Sequence, residues 1–134
     1  MRVLRAMMMG DDGRPEVPEG RKNPARTLGV RTGHRIRDID VDRSGMVHPL
    51  TGGMSVNPPP PENMAEHRRP SEYGGIGKDP IWELETGMLP PELRYRSDPG
   101  APPGTHGFIE PSAPMGLADY EVALCATRGL WWPF

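Results

Sequence analysis

The sequence predicts a loop-rich α+β domain made of short strands and one main helix. Its 18 prolines and 17 glycines make up about a quarter of the 134 residues, a share that argues against a helical bundle. Short apolar runs bounded by glycine, proline or aspartate recur along the chain, as short strands do. Only residues 115–127 carry a sustained helical pattern. A chain of this length buries one modest core, so residues 1–134 are expected to form a single domain.

Charge and cysteine content narrow the classes of function. The net charge is −2 and 35% of residues are hydrophobic, which does not match the composition of a disordered chain. The sequence pI of about 6.1 provides no general basic field, and this disfavours nucleic acid as a partner. Cys125 is the only cysteine, so the chain has no internal disulfide and no multi-cysteine metal site. We therefore expect the protein to work in a reducing compartment such as the cytoplasm.

The N-terminal segment does not have the pattern of a secretory leader. Its apolar run is interrupted by Arg5 and stops at Gly10, well short of a cleavable apolar segment. No run in the chain approaches the ~20 apolar residues of a membrane span. We expect no membrane partner, and any secretion would use a route that needs no cleaved leader.

The order of the predicted elements follows from these runs. In the first half, residues 10–24 are predicted as a loop, and strands are predicted at residues 3–9, 27–32, 35–41, 46–48 and 51–56. Four prolines, Pro58 to Pro61, end the last of these strands. In the second half, we predict one or two helical turns at 62–69, strands at 81–84, 93–96 and 105–110, and a helix at 115–127.

Three separated segments place polar groups in or beside these strands. Arg5 lies in an apolar strand, where a guanidinium needs an anionic partner or an open cleft, unless its stem lies on the core and its head reaches water. The segment 51–55 pairs two glycines with hydroxyl side chains, which suits either close approach of a ligand or a plain turn entering a strand. Thr105 and His106 enter the strand that carries Glu110. This arrangement suits either polar groups that contact a ligand or a histidine that only starts the strand, with an exposed carboxylate further along it.

Metal binding is not predicted. The four histidines, at positions 34, 48, 67 and 106, fall in separate segments without the spacing of metal ligands. The glycine-rich segment 74–78 lacks the first glycine of a phosphate loop and has Asp79 where that motif needs serine or threonine. We interpret it as a surface turn.

Taken in order, the motifs resemble those of the type VI secretion exported effector toxins whose fold is like that of ADP-ribosyltransferases. The resemblance runs nearly from end to end. The matching segments are Val3-Leu4-Arg5-Ala6, Gly45 to Pro49, Thr51-Gly52-Gly53-Met54-Ser55-Val56, Pro90-Pro91-Glu92-Leu93, Thr105-His106, and Pro111-Ser112-Ala113-Pro114-Met115. Each motif is weak alone, but their common order and spacing are fairly specific.

The resemblance implies two small, mostly antiparallel sheets that form a cleft for NAD⁺, with few short helices. Breaking the bond to nicotinamide through an oxocarbenium-like transition state would depend on positioning more than on strong acids. Arg5 would anchor the phosphates or the adjacent ribose through its bidentate fork. The implied cofactor-binding residues are Arg5, Thr51, Gly52, Gly53, Ser55 and Thr105. The implied catalytic residues are His106, Ser55 and Glu110, the last to stabilise developing positive charge.

The resemblance also implies a biological setting. The chain would be an NAD-dependent ADP-ribosyltransferase, or an NAD-consuming toxin, delivered into a recipient cytoplasm and held harmless in its producer by an immunity protein over the cleft. Its cellular target is not indicated. Two alternatives of other classes stay open, namely a non-catalytic binding toxin with this fold and an NAD-dependent RNA 2′-phosphotransferase-like enzyme, although the latter would need a basic groove. A structural or interaction protein with a proline-rich surface is the remaining alternative.

Overall fold

A computed structural model describes all residues from Met1 to Phe134, with eight short strands and one α-helix. The strands are β1 (Arg2–Ala6), β2 (Met46–Val47), β3 (Met54–Val56), β4 (Ile81–Glu85), β5 (Leu93–Ser97), β6 (Gly107–Pro111), β7 (Met115–Gly116) and β8 (Trp132–Pro133). The helix is α1 (Leu117–Ala126), and 3₁₀ turns lie at Pro24–Arg26, Pro61–Asn63, Ser71–Tyr73, Thr86–Met88 and Thr127–Leu130. No helix has the length and apolar character needed to cross a membrane.

The strands form three small antiparallel sheets. One has the order β1-β4-β8, the second has the order β3-β6-β5, and β2 and β7 form a two-residue pair. The predicted α+β class is confirmed, and the β2–β7 pair adds a third sheet to the two that were expected. The strands predicted at 81–84 and 93–96 are each present and one residue longer.

The two three-stranded sheets meet at one point, beside which a cleft opens. Leu4 in β1 and Asn57, just after β3, exchange backbone hydrogen bonds of 2.7 and 2.9 Å. The strand predicted at 3–9 ends at Ala6 because its partner β4 begins after Pro80. The amide of Met7 still donates to the Pro80 carbonyl at 3.1 Å, but proline has no amide to continue the ladder.

The main core lies between the sheets and α1 and contains 16 buried residues. The helix contributes Tyr120, Ala123 and Leu124 to it. Two buried indoles find acceptors: Nε1 of Trp82 donates to the Met7 carbonyl at 2.9 Å, and Nε1 of Trp131 donates to the Thr127 hydroxyl at 3.0 Å. Trp131 is fully buried while β8 pairs with β4, so the C-terminal segment covers the edge of the core.

The strands predicted at 27–32 and 35–41 are wrong. These residues form loops in which only single bridges occur, between Thr32 and Arg37 and between Ile39 and Gly52. The Asp38 carboxylate accepts the backbone amide of Arg31 at 2.7 Å and its guanidinium at 2.9 Å, which closes the loop by side-chain contacts. Leu28, Val30 and Ile39 are buried without forming a ladder, and this is why the pattern resembled strands, whereas Ile36 and Val41 are exposed.

The hydroxyl of Tyr120 links α1 to the β3–β6 ladder. It accepts the amide of Met54 at 3.1 Å and donates to the carbonyl of Ile109 at 2.6 Å, although these two residues face each other across the ladder. Burial raises the pKa of Tyr120 well above its usual range, so the hydroxyl keeps the proton that it donates. Helix and sheet are therefore joined by a buried polar contact.

Removal of this hydroxyl tests that contact. Tyr120→Phe leaves a buried amide and a buried carbonyl without a partner, and we expect a loss of about 2 kcal/mol in the free energy of unfolding. Tyr95→Phe is the matched control, because the Tyr95 hydroxyl is buried without any hydrogen-bond partner. Urea unfolding of the two variants should show a loss only for Tyr120→Phe. Equal losses would mean that the contact does not stabilise the fold.

Candidate active site

A cleft of about 630 Å³ lies where β1 and β3 diverge, a volume within the ~300–1,000 Å³ of small-ligand sites. Its floor is formed by β1, β3 and the residues before β6, and its walls are formed by loops between residues 23 and 38 and between 63 and 68. The lining residues are Arg5, Ala6, Asn23, Ala25, Arg31, Asp38, Ser55, Asn57, Asn63, Met64, Ala65, His67, Arg68, Ala101, Thr105 and His106.

Arg5 occupies the floor of the cleft and is only 6% exposed. Its Nε and Nη2 donate to the carbonyl of Thr27 at 3.1 and 2.8 Å, and Nη2 also reaches the carbonyl of Gly29 at 3.2 Å. Its Nη1 donates to the carbonyl of Ser55 at 2.7 Å. Arg5 therefore ties the first wall loop to β3.

The charge of Arg5 is met by carbonyl dipoles rather than by a carboxylate. Burial, and then the nearby charge of Arg68, lower the pKa of Arg5 to about 9, so the guanidinium is still cationic at neutral pH. The single N–H of Nε is used by Thr27 and Nη2 is shared among several carbonyls, whereas Nη1 carries two N–H groups and donates only one, to Ser55, so one N–H is left for a ligand. The structure thus gives Arg5 a supporting place beneath the cleft, with little capacity to bind phosphate.

Ser55 and His106 meet in the cleft, and His106 also contacts Asp98. The Ser55 hydroxyl lies 2.5 Å from Nε2 of His106, and Nδ1 of His106 lies 2.8 Å from the Asp98 carboxylate. The backbone amide of Gly100, and then His106, lower the pKa of Asp98. Because Asp98 is ionised and can only accept, the hydrogen-bond network assigns a proton to Nδ1. A ring that carries only this proton accepts the hydroxyl proton of Ser55 at Nε2.

Asp98 is a site residue that sequence reasoning missed. In the sequence it opens the turn Asp98-Pro99-Gly100, and nothing there connects it with a histidine eight positions later. The β5–β6 register aligns Ser97 with Gly107, and the amide of Asp98 donates to the carbonyl of His106 at 3.0 Å. Only this pairing places the two side chains together.

Thr105 lines the cleft and helps to place His106. Its carbonyl accepts Nδ2 of Asn57 at 2.8 Å, and the same Nδ2 donates to the carbonyl of Asn63 at 3.0 Å. The Thr105 hydroxyl donates to the Pro102 carbonyl at 2.6 Å and is not directed at a ligand. Asn57 therefore holds the segment before β6 against the end of β3.

Thr51, Gly52 and Gly53 lie outside the cleft lining. The Thr51 hydroxyl donates to the His48 carbonyl at 2.9 Å. Gly52 has a φ of +106°, and a Cβ there would lie 2.1 Å from the Asp38 carbonyl oxygen. A Cβ at Gly53 would lie 2.7 Å from the Ile109 carbonyl oxygen. Because glycine has no Cβ, the backbone of Asp38 lies close to Gly52 and the backbone of Ile109 lies close to Gly53. The first contact brings Asp38 to the cleft wall, and the second packs β3 against β6.

Glu110 is fully buried at a distance from the cleft. Its carboxylate accepts Nε of Arg94 and Nε of Arg96, each at 2.7 Å, and the amide of Leu50 at 3.0 Å. Burial by itself would raise the pKa of Glu110, but the hydrogen bonds from Arg96, the Leu50 amide and Arg94 outweigh it and lower the pKa.

Glu110 and His106 are therefore not neighbours. Four residues of strand, about 13 Å, separate the two positions. Phe108 lies between them, with its ring edge-on to His106 at 5.1 Å between centroids. The structure brings Ser55, Thr105 and His106 together over Arg5 and does not bring the Glu110 carboxylate to them.

Two further arginines, which sequence reasoning missed, make the cleft walls cationic. Arg31 pairs with Asp38 through Nε and Nη2 at 3.2 and 2.9 Å. Arg68 donates from Nη2 to the carbonyls of Ala6 and Ala25. Each keeps Nη1 free of hydrogen bonds within the chain, and Nη1 of Arg68 is 3.9 Å from Asp79. Such donors suit an anionic group such as a phosphate.

No three histidine, cysteine, aspartate or glutamate side chains come close enough to share a metal ion. The hydroxyl, ionisable and charged groups that line the cleft belong to Ser55, Thr105, His67, His106, Asp38, Arg5, Arg31 and Arg68.

Comparison with known families assigns the chain to a class of toxin. A family model described as "Tse2 ADP-ribosyltransferase toxin" matches residues 11–130. The chain belongs to this family. Its members are type VI secretion effector toxins. No curated protein matches the chain significantly. The Tse2-family match includes Ser55, Asp98 and His106 but begins after Arg5.

Replacement of Arg5 by lysine tests its supporting role. Arg5→Lys keeps the charge, but one ammonium cannot reach carbonyls on both sides of the guanidinium. We expect a loss of about 2–3 kcal/mol in unfolding free energy. Arg2→Lys, on the exposed end of the same strand, should change it by less than about 0.5 kcal/mol. Full stability of Arg5→Lys in urea unfolding would show that the carbonyl contacts are dispensable.

The lowered pKa of Glu110 predicts a pH dependence. Its contribution to stability is complete above its ordinary pKa of 4.5 and is lost as the pH falls through the lower value of the folded state. Glu110→Gln should therefore cost about 2 kcal/mol at pH 7 and progressively less toward pH 3. Thermal unfolding across this range measures the difference. Glu92→Gln, an exposed position beside β5, is the control, and a constant difference for Glu110→Gln would contradict the assignment.

Proposed function

We propose that this Tse2-family protein is an NAD-dependent ADP-ribosyltransferase that acts as a toxin. The observation that carries the proposal is the Ser55–His106 contact of 2.5 Å in a cleft with cationic walls. Family membership supports the reaction class, and the geometry supports the residues.

The residues of the cleft fit NAD⁺ as a substrate. NAD⁺ presents an anionic diphosphate, ribose hydroxyls and a nicotinamide ring that is a good leaving group. Nη1 of Arg31 and Nη1 of Arg68 are the free donors for the diphosphate. Ser55 and His106, on the floor of the cleft, are placed for the ribose next to nicotinamide, and Nη1 of Arg5 offers one further N–H.

The other predicted residues serve this site in different ways. Thr105 places His106, and Asp98 fixes the tautomer and orientation of the imidazole. Thr51, Gly52 and Gly53 lie just before β3, and the two glycines let the backbone of Asp38 and of Ile109 pack closely there. Glu110 stabilises the far end of the same sheet through its arginine contacts. We assign all of these as positioning residues.

Family membership also supports a biological setting for this proposal. The toxin is delivered into a recipient cell and acts on NAD⁺ there, while a cognate immunity protein protects the producer by covering the cleft. The molecule that receives the ADP-ribosyl group is left open. If the purified protein is toxic but never consumes NAD⁺, a binding toxin with this fold replaces the enzyme.

Substitution of His106 tests the proposed site. Because the side chain is partly exposed, His106→Ala should change the free energy of unfolding by no more than about 1 kcal/mol. Release of nicotinamide from NAD⁺ should fall at least tenfold, since the group that orients Ser55 is lost. Thermal unfolding and nicotinamide release are measured on the same preparation.

His34→Ala is the matched control, because His34 is exposed and lies outside the cleft. The same variants are then expressed in a bacterial cytoplasm with and without the immunity partner. The unsubstituted protein and His34→Ala should stop growth without the partner, and His106→Ala should not. A stable, fully active His106→Ala variant would remove His106 from the site.

A further inference from the structure

Ser55, His106 and Asp98 form one hydrogen-bonded chain whose hydroxyl end lies in the cleft. The contacts are 2.5 Å from the hydroxyl to Nε2 and 2.8 Å from Nδ1 to the carboxylate. A hydroxyl, a base within hydrogen-bond reach and a third group that orients the base are the parts from which activated serine nucleophiles are built. The three residues come from β3, from the segment before β6 and from the turn after β5.

We propose that Ser55 is a nucleophile that forms a covalent bond to the sugar carbon from which nicotinamide leaves. This inference rests on the proposed use of NAD⁺ and goes beyond it, because ribose binding alone needs no activated serine. His106 is the base that accepts the Ser55 proton, and Asp98 is its orienting partner.

The direction of the Ser55 proton supports this role. Asp98 is an acceptor and holds the proton of Nδ1, so Nε2 takes the only hydroxyl proton of Ser55. Toward a ligand, Ser55 then presents its oxygen lone pairs rather than a donor. A serine that only bound ribose would be expected to share its proton with the sugar. A lone pair facing the ligand and a base at 2.5 Å are what nucleophilic attack requires.

The donors near Ser55 indicate which kind of electrophile it attacks. Acyl transfer needs a pair of donors aimed at a developing oxyanion. Both protons of Asn57 Nδ2 are already given to carbonyls, and Nη1 of Arg5 has only one N–H left besides the one that it donates to the Ser55 carbonyl, which is a single donor and not a pair. Substitution at a sugar carbon creates no oxyanion and needs no such pair. The geometry therefore favours a glycosyl over an acyl substrate.

The step balances with groups already present. The Ser55 oxygen bonds to C1′ of the ribose as the bond from C1′ to the nicotinamide nitrogen breaks. The electron pair of that bond stays on nitrogen, so nicotinamide leaves neutral. The Ser55 proton passes to Nε2 of His106, and Asp98 stabilises the imidazolium. Water or a target nucleophile then displaces Ser55 from C1′ and restores its hydroxyl.

The first test traps the covalent bond. In an NAD⁺ analogue with fluorine in place of the 2′-hydroxyl, the fluorine slows displacement from C1′, so a glycosyl-serine accumulates. Intact mass should rise by one fluorinated ADP-ribosyl group, and peptide mapping should place it on Ser55. Ser55→Ala should give no adduct and His106→Ala at least tenfold slower labelling, while the exposed control His34→Ala should label like the unsubstituted protein. An absent adduct, or one on another residue, overturns the inference.

The second test needs no NAD⁺. In a Ser55→Cys variant, a neighbouring base should hold the new thiol partly as thiolate near neutral pH. Its alkylation by iodoacetamide at pH 6.5 should then be about ten- to a hundredfold faster than that of an ordinary thiol. Burial raises the pKa of Cys125, which makes that residue a slow internal reference. Adding His106→Ala should remove the rate advantage, and an unchanged rate would overturn the role of His106 as base.

The outcomes separate the two proposals. Consumption of NAD⁺ without an adduct on Ser55 overturns the covalent step and leaves the proposed function in place. Absence of NAD⁺ consumption by the unsubstituted toxin overturns the proposed function and, with it, the sugar carbon as the electrophile. An adduct on Ser55, together with fast alkylation of the Ser55→Cys thiol that depends on His106, supports both proposals.

Discussion

The burial of the Arg5 guanidinium is the constraint on which the cleft depends. The wall loops have little regular pairing, and their carbonyls point inward where no strand meets them. Arg5 satisfies a group of these carbonyls and the Ser55 carbonyl from a single point, so the loop and β3 keep one relative position. Pro24 in the first wall loop has a carbonyl but no amide, and Nη2 of Arg5 also reaches that carbonyl at 3.1 Å. Arg68 reaches across from the opposite wall and donates to the carbonyls of Ala6 in β1 and Ala25 in the first wall loop.

The reactive end of the cleft is built differently, by strand pairing. The contacts among Ser55, His106 and Asp98 depend on the register that sets Ser55 opposite Phe108 and Ser97 opposite Gly107. A shift of one residue would turn the hydroxyl into the core and the histidine away from it. The Tyr120 hydroxyl, which bridges β3 and β6 from the helix, helps to fix this register. Core packing and site geometry are thus determined by the same pairing.

Sequence patterns predicted the parts of the fold that depend on local rules. The strands at 81–84 and 93–96 were found because their flanking turns are marked by glycine and proline, and the C-terminal helix was found from its periodicity. The loop at 27–41 was misread because buried apolar residues look alike in a loop and in a strand. The role of Asp98 could not be predicted, because it depends on the register between β5 and β6. Motif resemblance indicated Ser55 and His106, but the carbonyl contacts of Arg5 are visible only in the three-dimensional structure.

The alternation of side chains along β3 and β6 has a consequence for what substitutions there can change. On one face, Met54, Val56 and Ile109 are buried in the core, and on the other face Ser55 and Phe108 adjoin the cleft. Neighbouring positions therefore meet different requirements. One residue serves the solubility and folding of the chain, and the next serves its chemistry. A substitution on the second face can therefore change the surface that adjoins the cleft without disturbing the interior. The small sheet thus separates the residues that shape the cleft from those that hold the fold, at intervals of a single position.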